Sequence, residues 1–246
     1  MCQGEKEKDT IGGRAYGNGV RLMNSNYTAK AFYDKENNLR VQVSRVKRSK
    51  YLNYIKKVPI LRGIVSLLFA VIMFLKEGVN NPGKYWAILL IVVVDIIFMM
   101  LPSSVGESTM NLLMLLYILI PVVLLIIFKD IIVEILKYHG AEHKTVHYYE
   151  NDCKGDIQSY SRLHKRCGSN IVFYYLIISL STIFIYIPIN PFLLQLIFLG
   201  IAYEAIKYTP DKLLFLPYLF QRIVTREPEE KHIRAAESAL EALTYR

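Results

Sequence analysis

The sequence predicts an all-α membrane protein. It is read as four transmembrane helices plus a short interfacial or re-entrant helix, with a small cytosolic N-terminal β-hairpin region. Three observations carry that fold class. The 246 residues are 53% hydrophobic, and their mean hydropathy of +0.26 is high for a soluble domain. Long runs lack charge, and the basic residues are partitioned unevenly along the chain. Three cysteines are too few, and odd in number, for a disulfide-stapled scaffold.

The uncharged runs set the spans. They cover 13 residues from Gly63 to Leu75, 22 from Tyr85 to Gly106 (interrupted only by Asp95), 21 from Ser108 to Phe128 and 37 from Cys167 to Tyr203. A helix crossing the hydrocarbon core needs about 20 apolar residues. The second and third runs are each a span. The fourth is broken by Pro188-Ile189-Asn190-Pro191 and divides into two, the last running from Phe192 to about Ile206. The first is too short and reads as interfacial or re-entrant.

Charge supports this count. Residues 1–63 hold 14 Lys/Arg against 5 Asp/Glu, so the whole net charge of +9 lies in the first quarter. With four spans there are 16 Lys/Arg before the first, 7 between 129 and 166 and 7 in the tail. The outer turns 102–109 and 188–191 have none. By the positive-inside rule both termini and the middle loop face the cytosol, in a multi-pass protein of the cell membrane. A basic N-terminal segment beside anionic headgroups accounts for the excess charge better than a nucleic-acid arm, so no specific nucleic-acid binding is expected. Residues 1–21 are polar and glycine-rich, without the apolar core of a cleaved signal.

The domain reading follows. Residues 1–58 form a basic N-terminal region, and 59–84 the interfacial helix and linker. Residues 85–136 and 169–207 form two transmembrane hairpins, 137–168 a cytosolic His/Cys loop and 208–246 an amphipathic tail. In the first region, residues 28–33 and 39–46 alternate in polarity around Asp34–Asn38, a hairpin pattern. After Pro228, Ile233, Ala236, Leu240 and Leu243 recur at helical spacing.

Four of the five histidines fall between His139 and His164. If the second span runs on as helix past Lys129, then His139, Glu142, His143, His147 and Glu150 share one face. His139-x-x-Glu142-His143 has the order of the inverted zinc-protease signature. Two imidazoles there can meet one metal ion while the carboxylate takes a proton from water. The alternative is a polar interfacial helix whose histidines touch headgroups. Gly140, inside the motif, costs a helix about 1 kcal/mol. His164 and Cys167 add two ligand-type side chains three residues apart, or else a surface histidine and a small buried cysteine. Glu204 is either a downstream carboxylate ligand or the partner of Lys207 or Arg166. Asp95, deep in a span, reads as paired with a polar group of another span.

Taken together, Gly12-Gly13-Arg-Ala, Pro59-Ile-Leu-Arg62-Gly63, Tyr138-His-Gly-Ala-Glu-His-Lys144, Arg162-Leu-His164-Lys-Arg166-Cys167-Gly168-Ser169, Ala202-Tyr-Glu204 and Thr225-Arg-Glu227-Pro228 resemble the YqhQ family over nearly the whole chain. That family comprises uncharacterised bacterial integral membrane proteins described as predicted metal-dependent enzymes. The resemblance implies a bacterial cell-membrane protein with His139, Glu142, His143, His164 and Cys167 as its polar signature. Two positions depart from the family's GGQAVxEGVM start: Arg14 stands for its Gln and Asn18 for its Glu. If that acidic residue is a ligand or base, this chain lacks it. The connections between spans are also short for the family.

The functional expectation is a metal-dependent hydrolase at the cytosolic membrane face. Glu142 is its base, and His139, His143, His164, Cys167 and Glu204 are candidate ligands of a divalent metal, zinc in the first instance. Membrane lipids are the expected partners, a lipid or membrane-bound peptide the substrate, and a homo-oligomer is compatible. The alternative is a membrane scaffold or assembly factor in which a structural metal, or a hydrogen-bonded polar cluster, fixes the loop.

Overall fold

The computed structural model describes residues 9–46, 55, 57–80, 86, 90–94, 96–97, 106–185 and 187–245. The chain divides into two compact units, one of residues Met1–Val65 with Val133–Arg246 and the other of Ser66–Ile132.

The first unit is built on a sheet. Strands β1 (Gly12–Tyr16), β2 (Gly19–Met23), β3 (Tyr27–Tyr33) and β4 (Leu39–Arg45) form an antiparallel meander in the order β1-β2-β3-β4. The expected hairpin is β3–β4, with Lys30 opposite Gln42. Its turn is fixed by Asp34, whose Oδ1 accepts from the amides of Glu36 and Asn38. Two further strands, β1 and β2, lie in and just beyond the polar, glycine-rich segment 1–21, where no strand pattern is expected.

What makes those strands is burial against helices. Val20, Leu22, Ala29 and Ala31 are fully buried in one core with Tyr138 and Ala141 and with Ala235, Ala236, Ala239, Leu240 and Leu243. The latter five belong to α7 (Glu230–Thr244), the amphipathic helix expected after Pro228. Its alanines let the helix lie close on the sheet, so a short apolar strand can bury its whole inner face. A capping box of Glu229 and His232 starts the helix.

Helix α3 (Lys129–Glu150) runs unbroken through the histidine segment. Gly140 is tolerated there because a Cβ at that position would lie 2.1 Å from the Arg226 carbonyl oxygen. The close approach of that strand-like segment needs a residue without a side chain. Also in this unit are α4 (Gly168–Leu180), α5 (Pro191–Tyr208) and α6 (Phe215–Val224), with α4 packed on both α5 and α6.

The second unit holds most of α1 (Leu61–Asn80) and all of α2 (Glu107–Ile127). Leu115, Ile118, Leu125 and Ile126 all stand exposed along α2, as side chains meant for lipid rather than water do. Pro121 is accommodated inside this helix.

The expected fold class is therefore corrected. The protein is not an all-α bundle of four spans plus a short helix with one hairpin, because it contains a four-stranded sheet covered by helices. Among the described residues, three helices are long and apolar enough to cross a membrane: Leu61–Asn80, Ser108–Ile127 and Pro191–Tyr208. They mark the chain as membrane-associated. The expected short interfacial helix at 63–75 is part of the 20-residue α1, which passes through Lys76 without a break. The expected span after Arg166 is only the 13-residue α4, closed by a 3-10 turn at Ser181–Ile183. At 1.5 Å per residue it covers about 20 Å, short of a hydrocarbon core of about 30 Å. The expected span over 85–106 falls largely outside the described residues, as does Asp95.

Candidate metal centre

One face of α3 carries His139, Glu142, His143, His147 and Glu150, and the 162–167 segment folds back along it. Three of these histidines are oriented by backbone carbonyls. Nδ1 of His139 donates to the Val224 oxygen at 2.9 Å, Nδ1 of His143 to the Arg162 oxygen at 2.6 Å, and Nε2 of His147 to the Leu163 oxygen at 2.9 Å. A carbonyl only accepts, so those nitrogens carry the hydrogens. The opposite nitrogen of each ring is the one left to act as a ligand, the usual way in which outer contacts fix a metal-binding imidazole.

Two groups result. His139, His143 and Cys167 form the first, and His147, Glu150 and His164 the second; within each, the ligand atoms all lie within 4.8 Å of one another. In the first, Cys167 Sγ is 3.3 Å from His139 Nε2 and 3.1 Å from Ser169 Oγ. Cys167 is also the N-cap of α4, where the helix dipole favours a thiolate. Burial alone would raise its pKa. Hydrogen bonds and positive charge from His139 and His143 overcome that and bring the thiol down to about 4. Burial likewise opposes protonation of His139, but the Cys167 hydrogen bond and charge raise it to about 9. The pair as it stands is a thiolate bonded to an imidazolium.

Glu142 lies beside this group and is 7% exposed. Burial raises its carboxyl above the ordinary range, with the charges of His143 and His139 pulling the other way. Its side chain rests on β1. A Cβ at Gly13 would come within 2.6 Å of Glu142 Oε1, so the glycine makes room for the carboxyl. The front of the group opens into a cavity of about 710 Å³, walled by Gly13, Arg14, Glu142, His143, Arg166 and Cys167 among others.

His164 belongs to the second group, not the first. Its backbone is clamped, with its amide donating to Gln221 Oε1 at 3.0 Å and its carbonyl accepting from Asn170 Nδ2 at 3.0 Å. Its Nε2 faces Glu150 Oε2 at 3.2 Å. Burial holds its pKa down at about 4, with Glu150 only partly offsetting. Glu204 is brought to neither group. Arg62 holds both of its oxygens, Nε to Oε1 at 2.7 Å and Nη2 to Oε2, while the Ile60 amide adds a bond to Oε1 at 3.2 Å. Its partner is thus neither Lys207 nor Arg166.

Several contributors escape sequence reading. Gly13 and Arg14 enter the cavity only because β1 folds over α3, although the glycine pair was visible as a motif. The carbonyls of Arg162, Leu163 and Val224 have no sequence signal. Gln221 has one, as a lone amide in the apolar run of α6.

The family model for DUF1385, a protein of unknown function, matches residues 19–245. The uncharacterised protein YqhQ of Bacillus subtilis (strain 168) is 24% identical over 290 aligned residues, covering 94% of this chain and 91% of its own. The expected YqhQ resemblance holds. No solved structure matches.

Proposed function

The chain belongs to the DUF1385 family, and from that premise we propose that it is a membrane-associated, metal-dependent hydrolase acting at the cytosolic face of the cell membrane. One observation carries this reading. Among the described residues, His139, His143 and Cys167 converge as three ligands, not four, beside an open cavity that also holds the buried carboxyl of Glu142. Structural zinc sites are closed by four protein ligands, whereas catalytic ones keep a position free. Diversion of His164 to Glu150 is what leaves three.

A thiolate with two imidazoles suits zinc. A metal held by these three residues would supply Lewis-acid activation of a water. The chain's own residues do the rest. The carbonyls of Val224 and Arg162 hold the two rings in register. Glu142, its basicity raised by burial, accepts a proton from the attacking water and returns it to the leaving group. Gly13 and the β1 segment shape the cavity around it.

The membrane side of the reading rests on α6. Its inner face carries Gln221, which clamps His164, and its last residue gives the carbonyl that orients His139. Its outer face presents Phe215, Leu216, Leu219 and Ile223, all exposed, beside exposed Lys212 and Arg222. An apolar face rimmed by cations fits the interface with anionic lipid. The site then sits at headgroup level, with a lipid headgroup as its substrate. The Lys/Arg excess of residues 1–63 supports a cytosolic position for that N-terminal segment and the site it covers.

The test is metal content joined to turnover. Protein purified in detergent is expected to carry zinc that His143→Ala removes, and to hydrolyse phospholipid in mixed micelles only when loaded. Metal-free wild-type protein with an intact fold would refute the reading. Tightly held metal with no turnover on any headgroup would favour the scaffold alternative.

A further inference from the structure

We propose that His147, Glu150 and His164 hold a second divalent metal ion beside the first, so that the centre takes two metals. This deepens the hydrolase reading and rests on it for the first metal only.

The second group is built as a site in its own right. Its three ligand atoms converge within 4.8 Å of one another. Nε2 of His147 is committed to the Leu163 carbonyl, which turns Nδ1 toward Glu150 Oε2, 4.0 Å away. His164 is 6% exposed, with its backbone held by Gln221 and Asn170. Its Nδ1 accepts from the Arg166 amide at 3.3 Å, so Nε2 donates to the same carboxylate oxygen at 3.2 Å and would exchange that proton for the metal. Two nitrogens and one oxygen therefore point at a common place from three fixed directions. Such a donor set suits a borderline divalent cation such as zinc.

Glu150 is itself oriented. The guanidinium of Arg166 binds its other oxygen, Oε1, and reaches the Ile11 carbonyl at 3.4 Å. One carboxylate oxygen is thus neutralised and pinned, leaving Oε2 as a single ligand atom. A surface ion pair has no need of two converging imidazoles, and a salt-bridged glutamate alone would leave His147 Nδ1 without a purpose.

The two groups adjoin. The rings of His143 and His164 have centroids 5.8 Å apart, and those of His147 and His164 lie 4.6 Å apart. His139, His143, His164 and His147 therefore make one continuous row of rings. Two divalent ions held by adjoining groups would both supply Lewis-acid stabilisation to a hydrolytic displacement.

The experiment separates the two sites by the sulfur. Full-length protein in detergent is stripped with chelator, reloaded with cobalt(II), and assayed for metal content and for the thiolate-to-cobalt charge-transfer band expected of an ion held by Cys167. Wild type is expected to bind about two ions per chain. His147→Gln, which retains an amide donor for the Leu163 carbonyl, and Glu150→Gln should each bring this to about one with the band intact. Cys167→Ser should lose the band yet keep about one ion. Wild type saturating at about one ion, with content unchanged in both the His147 and Glu150 variants, would overturn the second site while leaving the first. One ion without the band, lost on His147→Gln, would overturn the first-site reading and leave this one standing. Circular dichroism on each variant checks that it is folded.

Discussion

Cys167 Sγ and His139 Nε2 lie 3.3 Å apart although 28 residues of chain separate them. Helix α3 supplies the imidazole, the N-terminus of α4 supplies the thiolate, and the Val224 carbonyl fixes the ring's tautomer. The charge on each partner depends on the other.

That dependence sets a pH profile. In metal-free protein the thiolate's ultraviolet absorbance should persist on acidification until about pH 4. A lowered thiol pKa means that the anion is present above that value and lost below it. In His139→Ala the loss should move upward, toward the range of an ordinary thiol. A profile unchanged by that substitution would show that His139 does not stabilise the anion.

Glu142→Gln keeps shape and hydrogen bonding but removes basicity. Metal content should survive, while turnover falls about 100-fold or more. Gly13→Ala should reproduce part of this loss, because its methyl group would displace the carboxyl. Full activity in Glu142→Gln would end the general-base role.

Gly140→Ala sets two effects against each other. Helix propensity alone favours alanine by about 1 kcal/mol. The new Cβ would meet the Arg226 carbonyl at 2.1 Å, pushing away the segment that also orients His139. Overpacking of this kind costs about 1–3 kcal/mol, so the expected outcome is a lower melting temperature together with weaker metal retention. A raised melting temperature would show that the segment yields freely.

Membrane contact by α6 is testable by depth. A fluorophore on Leu219→Cys in nanodiscs should be quenched by brominated lipid, whereas the same probe on Glu237→Cys, exposed on α7, should not. Equal quenching at both positions, or none at Leu219, would remove α6 from the interface.

The helix over residues 129–150 was conditional on Gly140 being tolerated within it, whereas the sequence by itself determined the β3–β4 hairpin, the amphipathic α7 and the closeness in sequence of the histidines and Cys167. These are local matters of periodicity, turn chemistry and spacing, which a chain states before it folds. Membrane association was legible for the same reason, in the lengths of the apolar runs. Strands β1 and β2 were not legible. Their five-residue segments become strands only when Val20 and Leu22 find the alanine face of α7. Likewise the charges of Arg62 and Lys76 bound the apolar run of α1 to 13 residues, while the structure carries the helix through Lys76 and pairs Arg62 with Glu204. The same pairing takes Glu204 from the ligand set, and Glu150 with Gln221 takes His164 from the first group. Residue types define who can bind a metal. Which atoms converge depends on competing hydrogen bonds between segments far apart in sequence, and only tertiary packing settles that competition.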